Sequence, residues 1–316
     1  MGIGPAEHGY TRADHLSLAG LRQSLVSLGY QEAISFSFSD EKLEKKLNPA
    51  AQPLMLANPI SSDLAAMRTT LLSSLIPSVQ HNVNRQQSRV RLFETGLRFV
   101  PHVDGIKQLA QIPTLALIAT GSHLPEQWHA KPKSMDFYDL KAEVELILAA
   151  GRVSTSYVRS ERVWLHPGQS ADIVIDGQVI GYLGKLHPAL ADALDLGETW
   201  VAELDIAPLV LPYVSNFTQL SRFPSVRRDI AILISDKIEI DQIQASIRGA
   251  AGDLLIQSWL FDVYAGHGIG AGQRSLAFAL LWQHAERTLE DVEIKDGMQR
   301  VVDALSQTYN ATLRAS

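Results

Sequence analysis

The sequence predicts an α+β protein of two domains: an antiparallel-rich core over residues 1–210 and a βαββαβ unit over 222–316. Three observations carry this. The 316 residues suffice for two domains at roughly 100–200 residues each. Residues 207–226 (APLVLPYVSNFTQLSRFPSV) hold three prolines and no apolar period, the composition of a connection. Before that stretch strand-like segments outnumber helical ones, and after it strands and helices follow the order β-α-β-β-α-β.

In the first domain Leu16, Leu21, Leu25 and Leu28 recur near helical spacing and stop at Gly29, a residue type that follows helix C-termini. Strands are read at about 33–38, 89–95, 113–120, 171–176, 179–187 and 199–205, with Asp176-Gly177 as a tight hairpin turn. Helices are read at about 75–86 and 136–150. Ser74 as N-cap of the former puts Pro77 in its opening turn, where a missing N–H costs no helical bond. Leu75, Ile76, Val79 and Val83 then form one apolar stripe, suited to a core or a subunit interface. In the second domain strands at 229–235, 254–264, 274–283 and 311–314 alternate with helices at 239–250 and 289–308, the latter opened by a capping-box-like Thr288-Leu-Glu-Asp291. This is the ferredoxin-like order. It serves metabolite sensors and RNA binders alike, so function must come from residues.

Composition removes several classes. With 46% hydrophobic and 20% charged residues the chain is folded rather than disordered. No apolar run approaches the roughly 20 residues of a membrane helix. Residues 1–16, with Glu7, His8, Arg12, Asp14 and three glycines, lack the pattern of a secretory leader, so a cytoplasmic protein is expected. The absence of cysteine excludes disulfides, thiol catalysis and thiolate zinc sites. The ten histidines form no HExxH or HxH pair, and no metal site is expected. A net charge of −6 disfavours indiscriminate binding of phosphates. A local basic patch survives, because no acidic residue lies between Asp205 and Asp229, where Arg222, Arg227 and Arg228 gather.

Four motifs of the second domain then become recognisable. Ser221-Arg-Phe-Pro-Ser-Val-Arg-Arg-Asp-Ile230, Leu260-Phe-Asp-Val-Tyr264, Ser275-Leu-Ala-Phe278 and Glu286-Arg-Thr-Leu289 resemble the ferredoxin-fold anticodon-binding domain of phenylalanine–tRNA ligases. Upstream, Asn58-Pro-Ile-Ser-Ser62, Met67-Arg-Thr-Thr-Leu71, Arg91-Leu-Phe-Glu-Thr-Gly96, Asp136-Phe-Tyr-Asp-Leu-Lys141 and Leu183-Gly-Lys-Leu-His-Pro188 resemble the synthetase-like core of the bacterial β subunit. The resemblance implies a class II synthetase-like fold for the core and a catalytic α subunit as partner in an (αβ)₂ assembly. It also implies phenylalanine tRNA as the bound nucleic acid, and ATP and Mg²⁺ for the whole enzyme with no cofactor in this chain. The N-terminal tRNA-binding modules and the editing domain of that family are not found, so the chain is read as a C-terminal portion of the subunit.

Active class II members use an Arg-x-Glu pair on one strand face, the arginine gripping the ATP α-phosphate. Period-2 geometry permits that convergence. Here Arg91-Leu-Phe-Glu94 has i, i+3 spacing, which sends the two side chains to opposite faces, and the third motif has no counterpart before residue 210. No catalytic residue is assigned. Glu94 is read as a buried carboxylate held by backbone donors. His166 and His187, each before proline, are read as turn residues, and Tyr138, Asp139 and Lys141 as helix-start groups.

Alternation places Ile230, Ile232, Ile234, Leu276, Phe278, Leu280, Trp259, Phe261 and Val263 in the core of the second domain. Arg227, Asp229, Ala231, Ser275, Ala277, Ala279, Gln283, Asp262 and Tyr264 are left on the open face, with Thr312 and Arg314 closing the sheet. The expected tRNA-binding set is Arg222, Phe223, Arg227, Arg228, Tyr264, Gln283 and Arg314, with stacking from Tyr264 or Phe223. Two alternatives are weighed. A self-sufficient single-chain synthetase needs the absent third motif, and a metabolite-binding regulator needs a convergent polar cleft.

Overall fold

The computed structural model describes residues 16–101, 109–212 and 219–314. The leader reading and the middle of the predicted connection lie outside the described residues. The chain divides into two compact units, Met1–Ser215 and Asn216–Ser316. Among the described residues no helix is long and apolar enough to cross a membrane.

The first unit is built on a seven-stranded sheet. Its spatial order is β1 (Gln31–Glu32), β4 (Val90–Pro101), β5 (Leu109–Thr120), β9 (Thr199–Asp205), β8 (Gln178–Leu186), β7 (Leu165–Ile175) and β6 (Ser156–Arg159). Only the β1–β4 pair is parallel. Asp176 and Gly177, at φ 48° and 80°, close the β7–β8 hairpin as the sequence requires. Helices cover both faces. On one, α1 (Leu18–Ser27) and α4 (Phe137–Ala150) pack Leu21, Leu25, Val144 and Ile147 against Leu115, Leu117 and Trp200. On the other, α2 (Glu41–Leu47), α3 (Leu72–Val83) and α5 (Pro188–Ala193) surround Leu92, Ala116, Ile118 and Val201. Central strands buried on both sides lose polar alternation, which is why 113–120 reads as a nearly continuous apolar run.

Several expectations are corrected here. The strand read at 33–38 does not form: residues 33–37 lie between β1, which ends at Glu32, and β2 (Phe38–Ser39), which pairs with β3 (Ala66–Met67). The segment between them leaves Ile34 91% and Phe36 63% exposed. Helix α2 was not foreseen; Asp40 caps it, accepting the Lys42 and Leu43 amides at 2.5 and 3.2 Å. Helix α3 begins a turn earlier than the Ser74 cap implies. Thr70 Oγ1 accepts the Leu72 amide at 3.2 Å, and Glu203 Oε1 accepts the Leu71 amide at 2.7 Å. Pro77 therefore sits inside the helix. The stripe Leu75, Ile76 and Val79 is fully buried, and Val83 packs on the same cluster. Leu75, Ile76 and Val79 therefore serve the chain's own core and offer no surface to a partner, with Val83 at the margin of the same cluster.

Besides Glu203, three further buried carboxylates hold the layers of the first unit together. Glu44 accepts from Ser39 Oγ at 2.6 Å and from the Thr69 amide at 2.9 Å. Glu94, on β4, pairs with Arg68 Nη1 at 2.7 Å, so a guanidinium rather than backbone donors is its main partner. Glu143, on α4, pairs with Arg91 and accepts the Tyr30 hydroxyl at 2.7 Å. His166 Nδ1 and His187 Nδ1 accept the Gly168 and Ala189 amides at 3.0 and 3.2 Å, the turn roles read from the sequence. Asp136 caps α4 and Asp139 accepts its amide, a complete capping box.

The second unit is a four-stranded antiparallel sheet in the order β11 (Leu255–Tyr264), β12 (Gln273–Trp282), β10 (Val226–Ser235), β13 (Thr312–Leu313). Helices α6 (Ile240–Ala251) and α7 (Asp291–Tyr309) cover one face. Ile230, Ile232, Ile234, Leu276, Phe278 and Leu280 meet Ile243, Ile247, Val301 and Leu305 there. Gly297 allows α7 to approach the buried Trp282, whose ring would lie 2.6 Å from an added Cβ. The cap of α7 is Glu290 rather than Thr288; its amide donates to Glu293 Oε2 at 2.9 Å, and Arg287 pairs with the same carboxylate at 2.6 and 2.7 Å.

Arg287 first, and then the Glu290 amide, lower the Glu293 carboxyl from an ordinary 4.5 to about 2. A depressed carboxyl stabilises the fold fully above its unfolded value and loses that contribution as pH falls from about 4.5 toward 2. An NMR titration of Glu293 is expected to show the low midpoint, and Arg287→Ala to move it back up. An unchanged midpoint in the variant would exclude this origin.

Candidate RNA-binding face

The face of the second unit opposite its helices is set by three cross-strand rows. Asp229, Ala279 and Trp259 form one row, Ala231, Ala277 and Asp262 the next, and Leu233, Ser275 and Tyr264 the third. The alanines make a low floor between strands that carry larger groups. At one end Arg227 makes a two-pronged contact with Asp229, Nε to Oδ1 at 2.8 Å and Nη2 to Oδ2 at 3.0 Å. Its guanidinium carbon lies 5.2 Å from the Trp259 ring centre and 5.4 Å from that of Phe261. At the other end Arg314 lies 5.3 Å from the Tyr264 ring and donates to Ser275 Oγ at 3.2 Å. Tyr264 donates its hydroxyl proton to the His267 carbonyl at 3.2 Å.

Of the seven expected residues, the structure brings Arg227, Tyr264 and Arg314 together on this face. Gln283 Nε2 donates to the Phe223 carbonyl at 2.7 Å, so Gln283 anchors the preceding segment. That segment is also held by Ser221 Oγ, which donates to the His284 carbonyl at 2.9 Å and accepts the Phe223 amide at 3.2 Å. Arg222 is exposed on it. Arg228 has the register of Ile230 and Ile232 and lies 3.9 Å from Asp291 at the start of α7, away from the face.

Sequence reasoning placed Trp259 and Phe261 in the core, and the structure corrects both. Leu260, opposite Phe278, is the residue that faces the helices, while Trp259 stands opposite Ala279. The register then shifts between Leu260 and Asp262, so that the two halves of β11 have opposite parity. One period-2 reading fits only one half. The uniformly apolar Trp259-Leu-Phe261 gives no hydrophobicity signal for the extra residue.

Two cavities of the first unit are lined by described residues. One, about 100 Å³, is lined by Thr70, Arg98, Arg162, Tyr182 and Glu203. Its charged groups are already matched: Glu203 accepts from Thr70 Oγ1 and the Tyr182 hydroxyl at 2.9 and 3.1 Å, and Arg98 pairs with Asp205 at 2.8 Å. Burial raises the Glu203 carboxyl, a shift that the Leu71 amide opposes. The other is a groove of about 630 Å³ lined by Phe36, Phe38, Leu43, Leu64 and Pro77. Among the described residues no three His, Cys, Asp or Glu side chains gather as a metal site. Arg91 and Glu94 lie on opposite faces of β4, each buried against a different partner, as their spacing requires.

Comparison with known proteins sets first the class and then the family. Residues 221–314 match the ferredoxin-fold anticodon binding domain, and residues 4–206 match the phenylalanyl tRNA synthetase beta chain CLM domain. The chain belongs to the phenylalanyl-tRNA synthetase β-chain family. It is 67% identical over 304 residues to the phenylalanine–tRNA ligase β subunit of Acinetobacter baylyi, covering 96% of this chain and 38% of that protein. To the β subunit of Psychrobacter arcticus it is 51% identical over 302 residues, covering 94% of this chain and 37% of the relative. The chain thus spans less than two fifths of the length of these curated relatives.

Proposed function

We propose that this chain acts within phenylalanine–tRNA ligase, where its first unit supports the catalytic α subunit and its second binds the anticodon region of phenylalanine tRNA. The observation that carries the reading is the open sheet face, with an arginine set against aromatic rings at each end of an alanine floor. Single-stranded RNA is held by stacking on such groups and by contacts to its phosphates. The first unit is a class II synthetase-like scaffold without an active site. ATP and Mg²⁺ belong to the whole enzyme in its cytoplasmic (αβ)₂ form. The residues here do not suit a nucleotide, since Arg91 and Glu94 are buried, paired and on opposite faces.

With the α3 stripe inside the core, the α subunit is assigned to the exposed Ile34 and Phe36 beside the 630 Å³ groove. Ile34→Asp with Phe36→Asp is expected to reduce co-purification of the α subunit while leaving the second unit folded; unchanged co-purification overturns the assignment. For the RNA face, Tyr264→Ala is expected to cost roughly 1–3 kcal/mol of tRNA affinity in the αβ assembly. Pyrophosphate exchange, which needs no tRNA, should be unchanged. Charging of the cognate tRNA with unaltered efficiency by this variant and by Arg314→Ala would sink the reading.

A further inference from the structure

We propose that Arg227 is a stacking platform for one unpaired RNA base rather than a ligand of phosphate, a role that rests on the anticodon-face reading above. A phosphate ligand needs free N–H donors and an unmatched charge. In Arg227 the Nε–Nη2 edge is engaged by the two oxygens of Asp229, which match its charge and leave donors only on the outer edge. A positive charge already matched by a neighbouring carboxylate releases few counterions from RNA. The same two-pronged contact fixes the plane of the guanidinium. Trp259 and Phe261 support it, and the Arg227 side chain remains 49% exposed. Flat guanidinium groups stack on base faces as aromatic rings do.

Ala231 and Ala277, both half-buried, put no large side chain in the row beside the platform, whereas Ala279, in the row of Trp259 and Asp229, is wholly covered. The row of Trp259 and the row of Tyr264 are four residues apart along β12, opposite Ala279 and Ser275. At about 3.3 Å per residue that is about 13 Å, longer than a single base lying flat on the face. One base cannot touch both ends. The face therefore offers two separate stations, Arg227 on Trp259 and Phe261, and Tyr264 with Arg314. Asp229 is a positioning residue for the first station.

The test is binding of the full chain to an RNA hairpin carrying the phenylalanine tRNA anticodon loop, measured by fluorescence anisotropy across a salt series. Arg227→Lys keeps the charge and loses the plane. It is expected to weaken binding as much as Arg227→Ala, by a factor between about 5 and about 150, with the salt slope unchanged. Trp259→Ala should weaken it in the same direction. Full affinity in Arg227→Lys, or a slope flattened by about 0.7 in Arg227→Ala, would identify a phosphate contact and overturn the proposal. Tyr264→Ala separates the two levels. If it weakens binding while the Arg227 and Trp259 variants do not, the platform is wrong and the anticodon face stands. If the unaltered chain fails to bind the hairpin, or if none of the variants differs from it, both fall.

Discussion

Phenylalanine-dependent pyrophosphate exchange is expected to be absent from this chain when no α subunit is present. The reason is geometric. An adenylating strand must turn an arginine and a glutamate to one side, so that both meet the same nucleotide. Arg91 instead crosses to α4, where Glu143 and the face of Tyr30 receive it, its guanidinium carbon 4.3 Å from the ring centre. Glu94 crosses to the other layer and meets Arg68. Neither can be recruited without leaving an uncompensated charge in the core, at about 3–5 kcal/mol. Exchange above background in a preparation free of α subunit would refute this. Restored exchange on adding α subunit would agree with the proposed assembly.

Breaking the Arg91–Glu143 pair should produce the largest loss of stability of any single substitution considered. Both side chains are almost wholly buried. Glu143→Ala strands the Arg91 guanidinium and removes the acceptor of the Tyr30 hydroxyl, so about 3–5 kcal/mol is expected. Removing both charges with apolar residues of similar size, as in Arg91→Met with Glu143→Leu, should recover most of it. The surface pair Lys141–Glu145, on the same helix, is a control at about 0.2–1 kcal/mol. Because the chain has two units, hydrogen exchange of the β4 and α4 amides is a better readout than one global midpoint. Unchanged protection in Glu143→Ala would show that the pair does not hold the layer.

How much of this was legible in the sequence depends on how local each determinant is. Strand β9 is legible to the residue, and α4, α6 and β8 within one residue at each end, because caps, turn residues and apolar period act over short spans, whereas β7 starts six residues before the expected 171, across a register shift between Leu165 and Ser170. The start of α3 was misread because its orphan amides are met by Thr70 and by Glu203, which lies 132 positions beyond Leu71. Ser74, the local candidate, instead receives a bond from Arg68. The open face was half legible. Arg227, Tyr264 and Arg314 follow from alternation, whereas Trp259 and Phe261 depend on a bulge that composition does not mark. Arg228 enters the expected set through its charge and its place in the Ser221–Ile230 motif, while its strand parity, shared with Ile230 and Ile232, points away from the face.

Strand β9 carries a consequence for how the chain is made. It is the last strand of the first unit to leave the ribosome, yet it lies between β5 and β8. The β4–β5 hairpin and the β6–β7–β8 meander each form from neighbouring segments. Until residue 205 has emerged, β5 and β8 each present an unpaired edge in otherwise apolar strands. Such edges are templates for association with other nascent chains. Insertion of β9, six of whose seven residues become buried, closes both edges in one step. The vulnerable interval in synthesis therefore runs from the completion of β8 to the arrival of β9, and a pause in translation there would lengthen the exposure of both edges.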